Sequence, residues 1–411
     1  MRRSITVALS LGLAALCLAA GTTAVVGGCG ARDGFDASEQ DAGAARTLAA
    51  AKQGFAAAAD ALRGRRHDAY TASLPASGAA RRDLDRLYRV LSGLPWRSFA
   101  LEVTPSDAGE GLYRITAIGQ LGAAGPPDRI VAARQYELRA SDAGVRVVAD
   151  RTPPRLRRRY LMALHEPVAL QRPGLIVLAD RRQRARAAAV MDAARAGRPR
   201  LARLGADTRR TVLVTVYSTV EDARAALDVT ANSARLVFFA HPAPRVSSEV
   251  YAICDVGVMA PWLRDASGGM PAALAHELAH AYTVRWFAKA PDVPALLVEG
   301  LAQAAEGGAP IYLREEIATG NQLWPLPESF AEHDLWEGNS GAQVALGYEV
   351  GGSLVDYVLV TWGAKRLRPF VQSVAAADPS EAGMDAALAV SLGVTWRDFY
   401  DGWQTYAGAQ R

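Results

Sequence analysis

The sequence predicts an α+β protein built of two successive folded parts, and three observations carry that expectation. Up to Leu91, apolar residues recur at helical spacing. From 97 to 150 they alternate with polar ones in four runs separated by Gly, Asp and Pro. Beyond Pro173, short apolar runs trade places with helical stretches before the chain turns mainly helical to its end. A period of 3.6 marks a helix with one buried face and a period of two marks a strand with one buried face. The first part therefore reads as helices followed by an antiparallel sheet, and the second as a small mixed sheet leading into helices. At 411 residues, 50% of them hydrophobic, the chain exceeds the usual size of one domain and can bury a sizeable core.

Residues 1–28 read as an export signal: Arg2 and Arg3 begin it, and an uncharged, mostly apolar stretch follows. Gly27 and Gly28 precede Cys29, and this resembles the bacterial lipoprotein box, in which the cysteine is cleaved free and acylated. Cys17 is a poor rival because Leu16 is bulky for a cleavage position. The alternative is an uncleaved membrane-spanning helix, for which the apolar run is nearly long enough. On either reading the body of the protein is expected outside the cytoplasm, and on the first it is lipid-anchored to the cell membrane through Cys29, with 29–40 as a tether. Once Cys17 is removed and Cys29 acylated, only Cys254 remains, so no intramolecular disulfide is available. Cys254 lies in a strand-like run and reads as a buried, inert thiol.

The first folded part is expected over 41–151. Leu48, Phe55 and Leu62 recur at near-helical spacing in the alanine-rich stretch from Ala42 to Arg63, and a second helix is expected from Arg81 to Leu91. The four alternating runs 97–105, 111–121, 129–140 and 145–150 then read as strands. Helices followed by a curved antiparallel sheet resemble the NTF2-like arrangement, on element order alone. Residues 152–172 carry Pro153, Pro154 and the arginines Arg155, Arg157, Arg158 and Arg159, and read as a linker. Contact with anionic lipid headgroups or cell-wall phosphate is the rival reading, and a solvated charge run is the commoner case.

Charge excludes one class of partner. Basic residues number 46 against 42 acidic ones, and lysine occurs only at Lys52, Lys289 and Lys365. The arginines are dispersed and not gathered on one stripe, so no nucleic-acid partner is expected.

The second part is expected over 173–411. It opens with a strand at 174–180, a helix from Arg184 to Leu204, a strand at 211–217, and a helix from Val220 to Leu227 that Ser218 or Thr219 can cap. Apolar runs follow at 235–241 and 249–260. Next comes the stretch AALAHELAHAYTV, residues 272–284, with two histidines four apart and a glutamate after the first. Pro271 suits a first helical turn, Leu274, Leu278 and Ala281 mark a buried side, and Pro291 bars continuation.

Residues four apart on a helix share a face, so His276 and His280 can aim imidazole nitrogens at one ion. Zn2+ accepts such nitrogens in a tetrahedral set that keeps a place for water when the protein supplies three ligands. Glu277, one step round the helix, lies beside that water and can act as general base. Glu299 follows His280 after eighteen residues, a gap long enough to turn at Pro291–Pro294 and bring back a second helix bearing a third ligand. Gly307 and Gly308 stop that helix. Gln303 and Glu306, one and two turns beyond Glu299, are candidates to hold a ligand imidazole from behind, Glu306 the better one; an exposed helix acid is the equal alternative for Glu306.

HExxH, eighteen residues and then Glu within EGLA resembles the gluzincin metallopeptidases, in particular the bacterial peptidase MA-like group, and shares its spacing with the alanyl-aminopeptidase family. The resemblance covers Gly174 to Trp403. It implies a zincin-like domain, with His276, His280 and Glu299 as zinc ligands and Glu277 as catalytic acid/base. Tyr348, in the stretch ALGYEVGGSLVDYV, matches the position where relatives place a tyrosine, and a phenol there would donate to the oxyanion; the bland alternative is packing with Tyr357 and Trp362. No GAMEN-type strand precedes the helix, so exopeptidase action is not supported; the run 247–261 is the strand whose edge could pair with an extended peptide. His333 is a further candidate for substrate contact, although a surface role suits it better, and His67, His165 and His241 read as structural or exposed. The expected function is zinc-dependent hydrolysis of peptide bonds in a peptide or protein substrate. The alternative is a non-catalytic binding or scaffold lipoprotein with a structural metal site.

Overall fold

The N-terminal helices are α1 (Ala37–Arg63), α2 (His67–Ser73) and α3 (Gly78–Ser92). They pack on a four-stranded antiparallel sheet of β1 (Trp96–Pro105), β2 (Leu112–Leu121), β3 (Arg129–Ser141) and β4 (Gly144–Asp150), paired in sequence order. The structure is a computed structural model that describes residues 37–122, 129–142, 144–157, 159–227, 238–242, 254–259, 269–287, 294–307, 310–319 and 341–409. The export signal, Cys29 and the first part of the expected tether lie outside these residues, as do the turn at Pro291, Gly308, His333 and 249–253 of the apolar run. The side chains of Cys254 and His241 are likewise outside what is described.

Alternation along the strands sends Phe99, Leu101 and Val103 of β1 and Tyr113, Ile115 and Ala117 of β2 onto one face, where Phe55, Leu62, Leu84 and Leu87 of the helices cover them. Helix α1 begins at Ala37, so the last residues of the expected tether are helical. The segment 152–172 is a larger correction, because it is not a linker. It holds the short helix α4 (Pro154–Arg157), a 3-10 turn from Tyr160 to Ala163 whose Leu161 and Met162 are buried, and the strand β5 (Pro167–Arg172). The arginine run had masked these apolar residues. The main chain of α4 is held by Arg134 of β3, which donates to the carbonyls of Leu156 and Arg157 at 3.2 and 3.4 Å, and that of the 3-10 turn by Arg86 of α3, which donates to the Met162 carbonyl at 3.0 Å.

The second sheet has the order β5, β6 (Leu175–Asp180), β7 (Val212–Tyr217), β9 (Cys254–Met259), β8 (Phe238–Pro242). Strands β6, β7 and β9 are parallel and the two edges antiparallel, which makes the sheet mixed. Every residue of β6 and of β7 is buried, as their continuous apolar runs require of strands covered on both faces. Ile176, Leu178 and Leu213 join the core of the N-terminal part, while Leu175, Val177, Val212 and Val214 face the C-terminal helices. The chain is thus a mixed α+β fold whose two parts share one sheet as a common wall.

Helix α5 (Arg184–Arg203) crosses from β6 to its parallel neighbour β7, and α6 (Val220–Leu227) follows β7 and precedes β8 in the chain. The other described α-helices are α7 (Met270–Thr283), α8 (Ala295–Glu306), α9 (Ile311–Thr319), α10 (Gly341–Trp362), α11 (Ala364–Ala375), α12 (Glu381–Ser391) and α13 (Trp396–Ala409). Helix α7 lies between α5 and α8, and α8 between α7 and α10. By length and composition alone α10 could cross a membrane, and 44% of its most apolar stretch is buried within the fold.

Candidate metal centre

Helix α7 starts where Pro271 permits, in the first turn, and is buried on almost every side. Its composition explains this: between Met270 and Thr283 only the two histidines and Glu277 can carry charge, so nothing calls the helix to the surface. Helix α8 takes Pro294 as its N-cap residue and ends at Gly307, whose φ of 66° is the left-handed backbone that glycine adopts freely. The stop at Gly307 agrees with the expected one.

The two helices bring together the three residues that sequence spacing selected. His276 Nε2 lies 3.4 Å and His280 Nε2 3.6 Å from Glu299 Oε2, and the donor atoms of all three lie within 4.8 Å of one another. A small divalent ion held tetrahedrally by nitrogen and oxygen at about 2.0–2.2 Å needs donors about 3.3–3.6 Å apart. His276, Glu277, His280 and Glu299 are 1%, 0%, 7% and 2% exposed. At that depth polar atoms are nearly always hydrogen-bonded, yet His276 Nε2, His280 Nε2, Glu299 Oε2 and both carboxylate oxygens of Glu277 have no hydrogen-bond partner. Orphaned lone pairs converging on one point are what a cation would satisfy, so the residues present fit a metal ion. Comparison with known proteins adds nothing here: no protein-family profile, curated protein or solved structure matches the chain.

Behind the cluster, His276 Nδ1 lies 3.1 Å from Glu306 Oε2. A carboxylate there accepts a hydrogen bond from Nδ1–H, which keeps the proton on Nδ1 and leaves the Nε2 lone pair facing the cluster, the usual orientation of imidazole ligands. Glu306 thus occupies the backing position, whereas the Cβ and Cγ of Gln303 lie against Gly352 of α10. The Tyr348 ring, on α10, stands 6.0 Å from the His276 ring at 65°. His67 instead pairs with Asp85 at 3.4 Å on the surface of the N-terminal part, away from the site.

Electrostatics reinforce the picture. Burial pulls the His276 imidazole down, but Glu299, Glu306 and Glu277 outweigh it and hold it above its ordinary value. Burial also pushes Glu299 up, and the facing imidazoles overcome it, holding this carboxyl below its ordinary value. Glu277 is pushed up chiefly by burial. One supporting residue escaped sequence reasoning: Arg200 of α5 donates to the carbonyl of Glu306, capping the end of α8. A contact between residues 106 apart leaves no local signal.

Proposed function

We propose that this chain is a zinc-dependent peptidase of the gluzincin, peptidase MA-like type, with a zincin-like C-terminal part joined to an NTF2-like N-terminal part. On this reading it is displayed outside the cytoplasm by a lipid on Cys29. The observation that carries the reading is the convergence of His276, His280 and Glu299 beside a buried Glu277 whose two oxygens are unpartnered. A closed structural metal site has no use for such a carboxylate, whereas hydrolysis needs one.

Bound zinc would supply a Lewis acid that polarises the scissile carbonyl and acidifies a water molecule. His276, His280 and Glu299 hold it, and Glu306 keeps the His276 ring oriented. Glu277 takes the proton from the attacking water on a carboxylate oxygen and returns it to the departing amine, so the carboxylate is regenerated. Tyr348 donates its phenol hydrogen to the oxyanion that develops on the substrate carbonyl.

The test is metal analysis of the purified chain together with hydrolysis of an unfolded protein. Wild type is expected to hold about one zinc per chain. Glu277→Gln is expected to keep the zinc and lose at least about 10²-fold in rate. Hydrolysis that survives this substitution overturns the reading. The near-complete burial of the cluster favours a second reading, a binding or scaffold protein with a structural metal. In that case Glu277→Gln leaves the cellular phenotype unchanged.

A further inference from the structure

Helices α8 and α10 meet backbone to backbone beside the metal centre. Gly300 directly follows Glu299 on α8, and Gly351 lies within one turn of Tyr348 on α10. A Cβ added to Gly300 would lie 2.5 Å from the carbonyl carbon and oxygen of Gly351. One added to Gly351 would collide with the carbonyl oxygen of Leu296 and lie 3.0 Å from Gly300 Cα. These obstacles are main-chain atoms of packed helices and cannot swing aside. Neither glycine has a positive φ, so conformational freedom does not explain them. Glycine is a poor helix former, and two of them at one crossing mark a need for closeness.

We propose that the Gly300–Gly351 contact is a positioning device for the metal centre: it fixes how far Glu299 reaches toward the two imidazoles and where Tyr348 stands beside His276. The inference rests on the metal reading above. Glu299 is 2% exposed and packed in place, with its orphaned Oε2 3.4 and 3.6 Å from the two Nε2 atoms, so its placement follows the backbone of α8. That helix is wedged between α7, which carries the histidines, and α10, which carries Tyr348. Restoring ordinary carbon contacts after adding a methyl group at the crossing requires a separation of about 1 Å, whereas metal–ligand distances tolerate about 0.2 Å. A metal site is sensitive to shifts of this size.

The experiment compares wild type, Gly300→Ala, Gly351→Ala and a distant packing variant, Val371→Ala on α11. Each is loaded with Zn2+ or Co2+ alone. Two readouts are taken on folded protein: Zn2+ affinity by chelator competition, and the visible spectrum of the Co2+ form, which reports ligand geometry. Both glycine variants are expected to bind Zn2+ about tenfold or more weakly with an altered Co2+ spectrum, while Val371→Ala lowers the denaturation midpoint and leaves both readouts near wild type. Should Gly351→Ala fail to fold, Gly352→Ala replaces it. Its added Cβ would press on the Gln303 side chain, so a smaller loss in the same direction is expected. Folded glycine variants that bind Zn2+ as tightly as Val371→Ala, with an unchanged spectrum, overturn the proposal. A wild-type chain that takes up neither ion removes the metal reading itself, and this inference with it.

Discussion

Each half of the molecule buries a cluster of ionisable side chains, and the two clusters are built on opposite plans. In the N-terminal half, Asp83 Oδ2 accepts from Arg134 Nε at 3.0 Å and from the Tyr136 hydroxyl at 2.6 Å, and the remaining Arg134 nitrogens donate to carbonyls of Ala133, Leu156 and Arg157. Its charges are paired and its donors used. In the C-terminal half, two imidazoles and two carboxylates of equal depth leave their inward-facing atoms without hydrogen bonds. Burial alone therefore does not mark a functional site. The first cluster is complete as protein, while the second leaves buried polar atoms that a metal ion could satisfy.

The largest effect expected from this contrast lies in the first cluster. Asp83→Ala leaves the Arg134 guanidinium buried without its counter-charge and deprives Tyr136 of its acceptor. Such a break is expected to lower stability by about 3–5 kcal/mol, read from urea unfolding. Because Arg134 also ties down α4, and because the N-terminal core includes Ile176, Leu178 and Leu213 of the second sheet, the loss should appear in one transition shared by both parts. Two separate transitions, with only the first shifted, would show that the shared sheet does not couple them.

The two tyrosines sharpen the contrast. Tyr136→Phe removes a hydrogen bond to a buried carboxylate and is expected to lower stability by about 1.5–3 kcal/mol without altering hydrolysis beyond that. Tyr348→Phe is expected to leave the fold intact and to slow turnover by about 10²-fold, with little change in KM, as loss of one oxyanion donor does. Steady-state kinetics and thermal unfolding on both variants separate the two roles. If Tyr348→Phe changes stability and spares kcat, the ring beside His276 is packing and not catalysis.

These two clusters also show what a single sequence can and cannot disclose. His276, Glu277, His280 and Glu299 were legible because each pair is set by helix geometry or by one short connection, and local spacing carries that information. The strands of the first sheet were legible because alternation is local as well. Asp83, Arg134 and Tyr136 gave no sign, since 51 and 53 residues separate the partners. The same limit hid β5: Leu161, Met162 and the strand itself follow a run of prolines and arginines, and only the fold reveals that the two side chains are buried and that β5 pairs with β6. Arg200 and the Gly300–Gly351 crossing belong to this second kind, contacts between elements far apart in the chain.

The smallest expected effect tests the unpartnered atoms of the second cluster most directly. Without a metal, Glu277 is a buried carboxylate with two unpartnered oxygens, an arrangement that opposes folding. Replacing it by glutamine keeps the shape and removes the charge. With a chelator present, Glu277→Gln is therefore expected to be more stable than wild type by about 1 kcal/mol, while hydrolysis in the zinc-loaded form is lost. A group that weakens the fold and is needed for turnover is the signature of a site held under strain for chemistry. If the substitution instead destabilises the metal-free chain as much as it slows the reaction, Glu277 is an ordinary structural member and the contrast between the two clusters loses its meaning.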